Sequence, residues 1–492
     1  MYILAFDIGT SAIKSILVSH DGRIIDSASY EYRVISRYRN WVEQNPDSWW
    51  EGACHVTHAL MERNPEAGKQ IDIIGVSGHM LGCVPVDSGG RALRPAIIHA
   101  DTRSSGEVEQ IGKLAGRENL YHRTGCILSA QSSLAKILWL KRNEPEIFAK
   151  TARFLQSKDF LTAQLVGDID STDYSDASHA LLLDIHKKVY LTDLFTELGL
   201  GTEKFPAIHK ATDVIGRVTE TAALALGISP GVPVIAGGGD GACANVGAGI
   251  TAGGKEIYCS IGTTAWIACN VPNPIIDKKA RVFDIISLNG DSFGVFGTMQ
   301  AAGKSIDWAR GLFNIESDDA FDREAALAPA GSNGLIFLPY IDGERSPIFD
   351  ARARGVFFNI DSHHQRSHFT RSVLEGISYA LCSILAVYRE SGAVSGLRLI
   401  GGGANSKLWR QILADVLGAE IQITDAHADS ITSLGVALAA GVSAGVYKNL
   451  DEAASMVKVV DTTAPLKENT ALYERLYDIY GQLYQQLKSL YS

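Results

Sequence analysis

Two stretches lying about half a chain apart read alike: LAFDIGTSAIKSILV over residues 4–18 and IYCSIGTTAWIACNV over 257–271. Each is an apolar run, an Ile-Gly-Thr-Ser/Thr turn and a second apolar run, which is the pattern of a buried strand pair. Alone, the first stretch reads as a hairpin with Gly9, Thr10 and Ser11 in the turn. Its repetition predicts two domains of similar build. Two such turns facing each other can hold the phosphates of one nucleotide, because amides and hydroxyls meet the oxygens without adding bulk. Lys14 would add a cation to that cradle, or else stand as a solvated strand residue. Asp7, which a plain hairpin leaves without a role, would face Mg²⁺ through water, since that ion keeps several of its own waters.

The rest of the chain agrees with two α/β domains. Its 492 residues are enough for two or three cores, and strand-like and helix-like segments alternate. IDIIGVSG (71–78) reads as a buried strand and SLAKILWLKRNEPEIF (133–148) as a helix. GVPVIAGGGDGACANVGAG (231–249) and GLRLIGGGANSKLWRQILADVLGAEIQITD (396–425) each read strand, glycine turn, helix, the latter with a further strand. ALYERLYDIYGQLYQQLKSL (471–490) suits an amphipathic C-terminal helix. A net charge of −10 argues against a nucleic-acid partner. Seven scattered cysteines with no C-x-x-C spacing suggest reduced thiols. No signal-peptide pattern and no run of about 18 apolar residues occurs, so a soluble, cytoplasmic protein with no membrane contact is expected.

Other glycine patterns compete for the nucleotide. GTMQAAGKS (297–305) fails as a Walker A loop, because five residues separate Gly297 from Gly303 where that motif has four. GGGDGA (237–242) and GGGANS (401–406) sit between strand and helix as a dinucleotide fingerprint would, and Asp425 ends the next strand. GGGANS has Ser406 where the fingerprint has its third small residue, and neither copy opens its domain. Both could equally serve close helix-on-strand packing.

Taken in order, DIGTSAIK, EQNPDSWWEG, HADTR, SSLAKILWLKRNEPEIF, PVIAGGGDGACANVGAG, SIGTTAW, FLPYIDGERSP, VLEGISYAL and LIGGGANSKLWRQILADVLG resemble the FGGY carbohydrate kinases, in their xylulokinase-like branch. The likeness runs nearly end to end. The family's second signature fits around Gly355 to Glu375 and departs at Asn359, where Gly is usual. The resemblance implies two actin-like (ribonuclease H-like) α/β ATPase domains flanking a cleft, residues 1–245 and 246–492, the first on the sugar side and the second on the adenosine side. It implies transfer of the ATP γ-phosphoryl group, with Mg²⁺, to a hydroxyl of a small sugar or polyol. D-xylulose is the first expectation, and another ketose, a polyol or a sugar acid such as gluconate the alternative. A homodimer is compatible with it.

Residue by residue, the resemblance makes Asp240 the general base, where the residue type alone allows a helix N-cap equally well. Gly9, Thr10 and Lys14 would meet the phosphates from one side, and Gly262 and Thr263 from the other. Gly402, Gly403, Ala404 and Asn405 would hold adenosine. His79, Met80, Leu81, Asp101 and Arg103 would face the acceptor, the last two with a mutual salt bridge as the competing role. Trp49 and Trp50 are expected to pack. Xylulokinases carry Met-His-Gly where this chain reads GHMLG, so Leu81 stands in place of a hydrogen-bonding histidine; a shifted specificity is expected unless His79 reaches the same hydroxyl or Leu81 only packs beneath the site. A sugar-sensing regulator or an actin-like assembly protein is the non-enzyme alternative, against which the retention of Asp7 and Asp240 argues.

Overall fold

Both similar stretches fold as antiparallel strand pairs in a computed structural model that describes residues 2–253, 256–390, 392 and 396–491. In the first half, Tyr2–Ile8 (β1) pairs with Ala12–Ser19 (β2), and Ile24–Glu31 (β3) continues antiparallel. Ile71–Gly78 (β4) runs parallel to β1 on its other side. Val214–Arg217 (β5) and Pro233–Ile235 (β6) complete the order β5-β6-β4-β1-β2-β3, and Gly238–Gly239 adds a short parallel piece to β4.

The second half repeats the scheme. Glu256–Ile261 (β7) pairs antiparallel with Ala265–Val271 (β8), flanked by Phe283–Ile286 (β9) and Phe293–Met299 (β10). Gly396–Gly401 (β11) and Ile421–Thr424 (β12) are the parallel strands, and Val459–Thr463 (β13) closes antiparallel. The order is β9-β10-β8-β7-β11-β12-β13, so apart from the added β9 the first four strands follow one scheme in both sheets (β3-β2-β1-β4 and β10-β8-β7-β11), while the last two are reached in opposite chain order. These mixed sheets are not the all-parallel, doubly wound sheet that a dinucleotide fingerprint belongs to.

Helix Pro46–Arg63 (α1) buries Trp49, Ala53, Val56 and Leu60 on one stripe against Leu4, Phe6 and Ile13. The two halves meet through Asp240–Gly247 (α2) and a helix from late in the chain, Ile431–Ser443. Their backbones nearly touch: a Cβ on Gly247 would fall 1.9 Å from the Ile431 carbonyl oxygen, and one on Gly435 would fall 1.8 Å from that of Cys243. Ile431–Ser443 also packs on the first sheet, so Ile3, Ile73, Val246, Val436 and Ala440 share one core.

Residues 133–148 form two helices, not one. Ser133–Asn143 and Pro145–Lys150 are separated at Glu144 (φ −132°, ψ 59°), because proline disfavours helical backbone at the residue before it. Arg366–Glu390 is long and apolar enough to cross a membrane by length and composition, but 89% of its most apolar window is buried as a core helix. The cysteines are all free thiols.

Candidate active site

The site is built from the ends of β1 and β4 and the start of α2. Asp7 sits opposite Lys14 across the β1–β2 pair and opposite Ser77 across β1–β4. Its Oδ1 is buried with no hydrogen-bond partner. Burial first, and the Asp240 charge second, push its carboxyl up to about 7. Asp240 is the first residue of α2, with Gly239 in the N-cap position, so the capping role is not the one it plays. Its Oδ1 accepts the Gly241 amide at 2.7 Å, and burial raises its carboxyl to about 6. Asp240 lines a cavity of about 190 Å³ with Met80, His179, Trp266, Phe296 and Thr298.

A buried charge cluster supports this turn from beneath. Lys158 Nζ lies 2.5 Å from Asp159, 3.1 Å from Asp173 and 3.6 Å from Asp176, all fully buried. Asp173 accepts the Ser175 hydroxyl at 2.5 Å, and Ser175 Oγ in turn accepts the Gly239 amide at 3.0 Å. One ammonium serves three carboxylates, and burial holds the Asp176 carboxyl well above the usual range.

On the acceptor side the expected residues separate. Met80 lines the Asp240 cavity. Leu81 lines an adjoining cavity of about 300 Å³, which shares His179, Phe283 and Thr298 with the first. Leu81 holds left-handed backbone (φ 60°), unusual for a leucine, and its carbonyl accepts the buried Lys136 ammonium at 2.6 Å. His79 lies one layer lower: it is 3% exposed, and its Nε2 meets Gln44 Oε1 at 3.1 Å. Gln44 Nε2 donates to the Thr10 carbonyl, so Oε1 is the acceptor and His79 carries its proton on Nε2. Burial lowers its pKa to about 3, which leaves a neutral ring.

Asp101 and Arg103 are a correction. They pair with each other, as the competing role had it, but in the interior rather than facing the acceptor. Asp101 is 0% exposed and both its oxygens are taken, by Arg103 and by the Val42 amide. The Arg103 guanidinium lies 3.7 Å from the Trp41 ring centroid and 5.0 Å from that of Trp139, and it also reaches Glu43 at 2.8 Å. Neither residue lines the Asp240 cavity or the Leu81 cavity. Trp49 packs as expected, fully buried with its Nε1 on Gln44.

The nucleotide side gathers Gly262, Thr263, Gly402, Gly403 and Asn405 around one cavity of about 370 Å³, which Asp307, Asp322 and Trp409 also line. Ala404 is buried behind it, its carbonyl accepting Arg410 Nε. The first turn is outside this cavity. Gly9 closes it by donating its amide to the Ala12 carbonyl at 2.9 Å, and Tyr32 bonds the Gly9 carbonyl. Lys14 is turned to Asp429, its Nζ 3.2 Å from the carbonyl and 3.6 Å from the carboxylate, so its ammonium is drawn to the opposite half.

Among the described residues no group of three His, Cys, Asp or Glu is placed to cage a metal. Asp7 with its orphaned Oδ1 and the neighbouring Asp240 nevertheless fit Mg²⁺, which takes one or two carboxylates and completes its shell with water and phosphate oxygens. The acceptor side includes residues that the sequence did not mark as site residues: Trp266 within SIGTTAW, Thr298 within GTMQAAGKS, Arg345 within FLPYIDGERSP, and His179, Phe283 and Phe296 outside every quoted motif. They lie far apart in sequence and carry no spacing signal.

Comparison with known proteins agrees with this geometry. Residues 2–247 match the N-terminal domain of the FGGY family of carbohydrate kinases, and 257–444 match its C-terminal domain. The chain is 33% identical to a xylulose kinase of Bacillus subtilis over 99% of this chain and 98% of that one. It is 27% identical to a gluconokinase of the same organism over 100% and 97%. A ligand-bound xylulose kinase structure from Lactobacillus acidophilus superposes with a TM-score of 0.94 at 26% identity, over 100% and 99% of the chains. The chain belongs to the FGGY family of carbohydrate kinases.

Proposed function

We propose that this kinase transfers the γ-phosphoryl group of ATP to a hydroxyl of D-xylulose, giving D-xylulose 5-phosphate, with Asp240 as general base. The observation that carries the reading is the buried Asp240 carboxyl at the wall of a cavity, at the junction of the two halves. Residues 1–245 would form the acceptor side and 246–492 the adenosine side. The Asp240 carboxylate takes the proton of the attacking hydroxyl as its oxygen bonds to the γ-phosphorus and ADP leaves. Gly262 and Thr263, beside Gly402 and Gly403, line the cavity that takes the nucleotide. Asp7 would hold Mg²⁺ through water; when bound, that ion neutralises phosphate charge. Met80, Trp266 and Phe296 exclude water, itself a competing acceptor. Free thiols and a need for ATP suit the cytoplasm.

Calorimetry is expected to show Mg-ATP binding and no measurable NAD or NADP binding. Tight dinucleotide binding with silent ATP would overturn the nucleotide assignment. An ADP-release panel of ketoses, polyols and sugar acids tests the acceptor, with D-xylulose expected to lead. Gluconate is the second reading, favoured by Arg345: it lines the Leu81 cavity, its Nε is used by Gln300 at 2.6 Å, and it has no salt-bridge partner among the described residues. A guanidinium edge in that state suits a carboxylate.

A further inference from the structure

The Leu81 side chain cannot hydrogen-bond, so a hydroxyl entering the cavity that it lines must find another partner. His179 is placed to be that group. It ends the short helix Tyr174–His179 and lines both the Asp240 cavity and the Leu81 cavity. Neither of its ring nitrogens bonds to protein among the described residues, and Nδ1 is buried without a partner. The ring plane is fixed by stacking: Phe283 lies parallel to it at 5.0 Å and 6°, and Phe296 stacks on Phe283 at 5.4 Å. Burial, with Lys136 and His99 nearby, lowers the imidazole to about 4, so the ring is neutral near pH 7. A neutral imidazole offers one N–H and one lone pair, and so can serve a hydroxyl in either direction.

We propose that His179 is a specificity residue of the acceptor site, binding an acceptor hydroxyl other than the one that Asp240 deprotonates. The ligand class is a small polyhydroxy compound that spans the two joined cavities, with the reacting hydroxyl at Asp240 and a second hydroxyl at His179. The inference rests on reading these cavities as the acceptor site. It does not depend on which sugar is best, because the probe is D-xylulose or, if D-xylulose is not turned over, the best acceptor of the panel.

The test pairs His179→Phe, which keeps the stacking surface and removes both nitrogens, with His179→Asn. His179→Phe is expected to lose about tenfold to hundredfold in kcat/KM for the hydroxylated acceptor, the scale of an unpaired hydroxyl in a closed site. Its discrimination between that acceptor and the analogue lacking the bound hydroxyl should fall by the same factor. Leu81→His added to His179→Phe should restore part of the loss, since both side chains line one cavity. Equal losses on the hydroxylated and deoxy acceptors, or wild-type kcat/KM in both His179 variants, would overturn the proposal. Histidine-¹⁵N spectra of the wild-type protein give an answer that does not depend on a variant folding. The acceptor should shift the His179 nitrogen signals, and unmoved signals at saturation would refute the contact. A wild type that turns over gluconate and not D-xylulose corrects the proposed acceptor and leaves the His179 test to run on gluconate.

Discussion

Asp240→Asn is expected to retain fold and Mg-ATP binding while losing sugar-phosphate formation by at least about 10²-fold, the scale of general-base catalysis. The amide keeps the shape and can still accept the Gly241 amide through its oxygen, but it cannot take the proton of the attacking hydroxyl. The pH profile supplies a second readout. Burial raises Asp240 to about 6, and burial together with the Asp240 charge raises Asp7 to about 7. The two are close enough to titrate as a pair. The base works only when ionised, so kcat/KM should rise with pH through roughly 6 to 7 and level off above. In Asp240→Asn the Asp240 limb disappears, and Asp7, relieved of its negative neighbour, titrates at lower pH. Turnover near wild type in this variant would show that another group takes the proton.

The largest loss of stability is expected from Lys158→Met. Among the described residues the Lys158 ammonium is the one cation within 4.0 Å of Asp159, Asp173 and Asp176 in a buried cluster. Removing one partner of a buried ion pair typically costs about 3–5 kcal/mol, because the remaining charge is left without compensation. Here Asp159, Asp173 and Asp176 lose the ammonium that they share. Lys158→Met should therefore lower Tm and the urea midpoint by more than any single surface change. The effect should reach the chemistry as well, since Asp173 holds Ser175 and Ser175 holds the Gly239 amide directly before the base. Asp176→Asn is the contrast: burial already favours the neutral form of that side chain, so a much smaller effect is expected. An unchanged urea midpoint in Lys158→Met would refute the view that this cation balances the cluster.

The features legible in the sequence are those set by neighbours in the chain. The paired Ile-Gly-Thr turns announced two sheets built around like antiparallel strand pairs, because apolar strands joined by a short glycine turn are specified locally. Gly262, Thr263, Gly402, Gly403 and Asn405 meet around one cavity because β7 and β11, which lead into them, are adjacent parallel strands. Asn359 is local too. It takes the left-handed backbone (φ 67°) for which glycine is usual, and its side chain bonds the Gly334 carbonyl.

What the tertiary structure alone decided are pairings between residues distant in the chain. Asp101 and Arg103 look like acceptor contacts until Trp41, Trp139, Glu43 and the Val42 amide close around them. Lys14 finds Asp429, 415 positions away, and no local pattern encodes that separation. His179 belongs to no motif. It becomes a site residue only because the strands carrying Phe283, Phe296 and Thr298 close over the cavity that it shares with Asp240. Hydrophobic period and turn chemistry act over a few residues. Burial, charge compensation and the free valence of a side chain depend on whatever the fold brings against it, and those are the quantities that make a site.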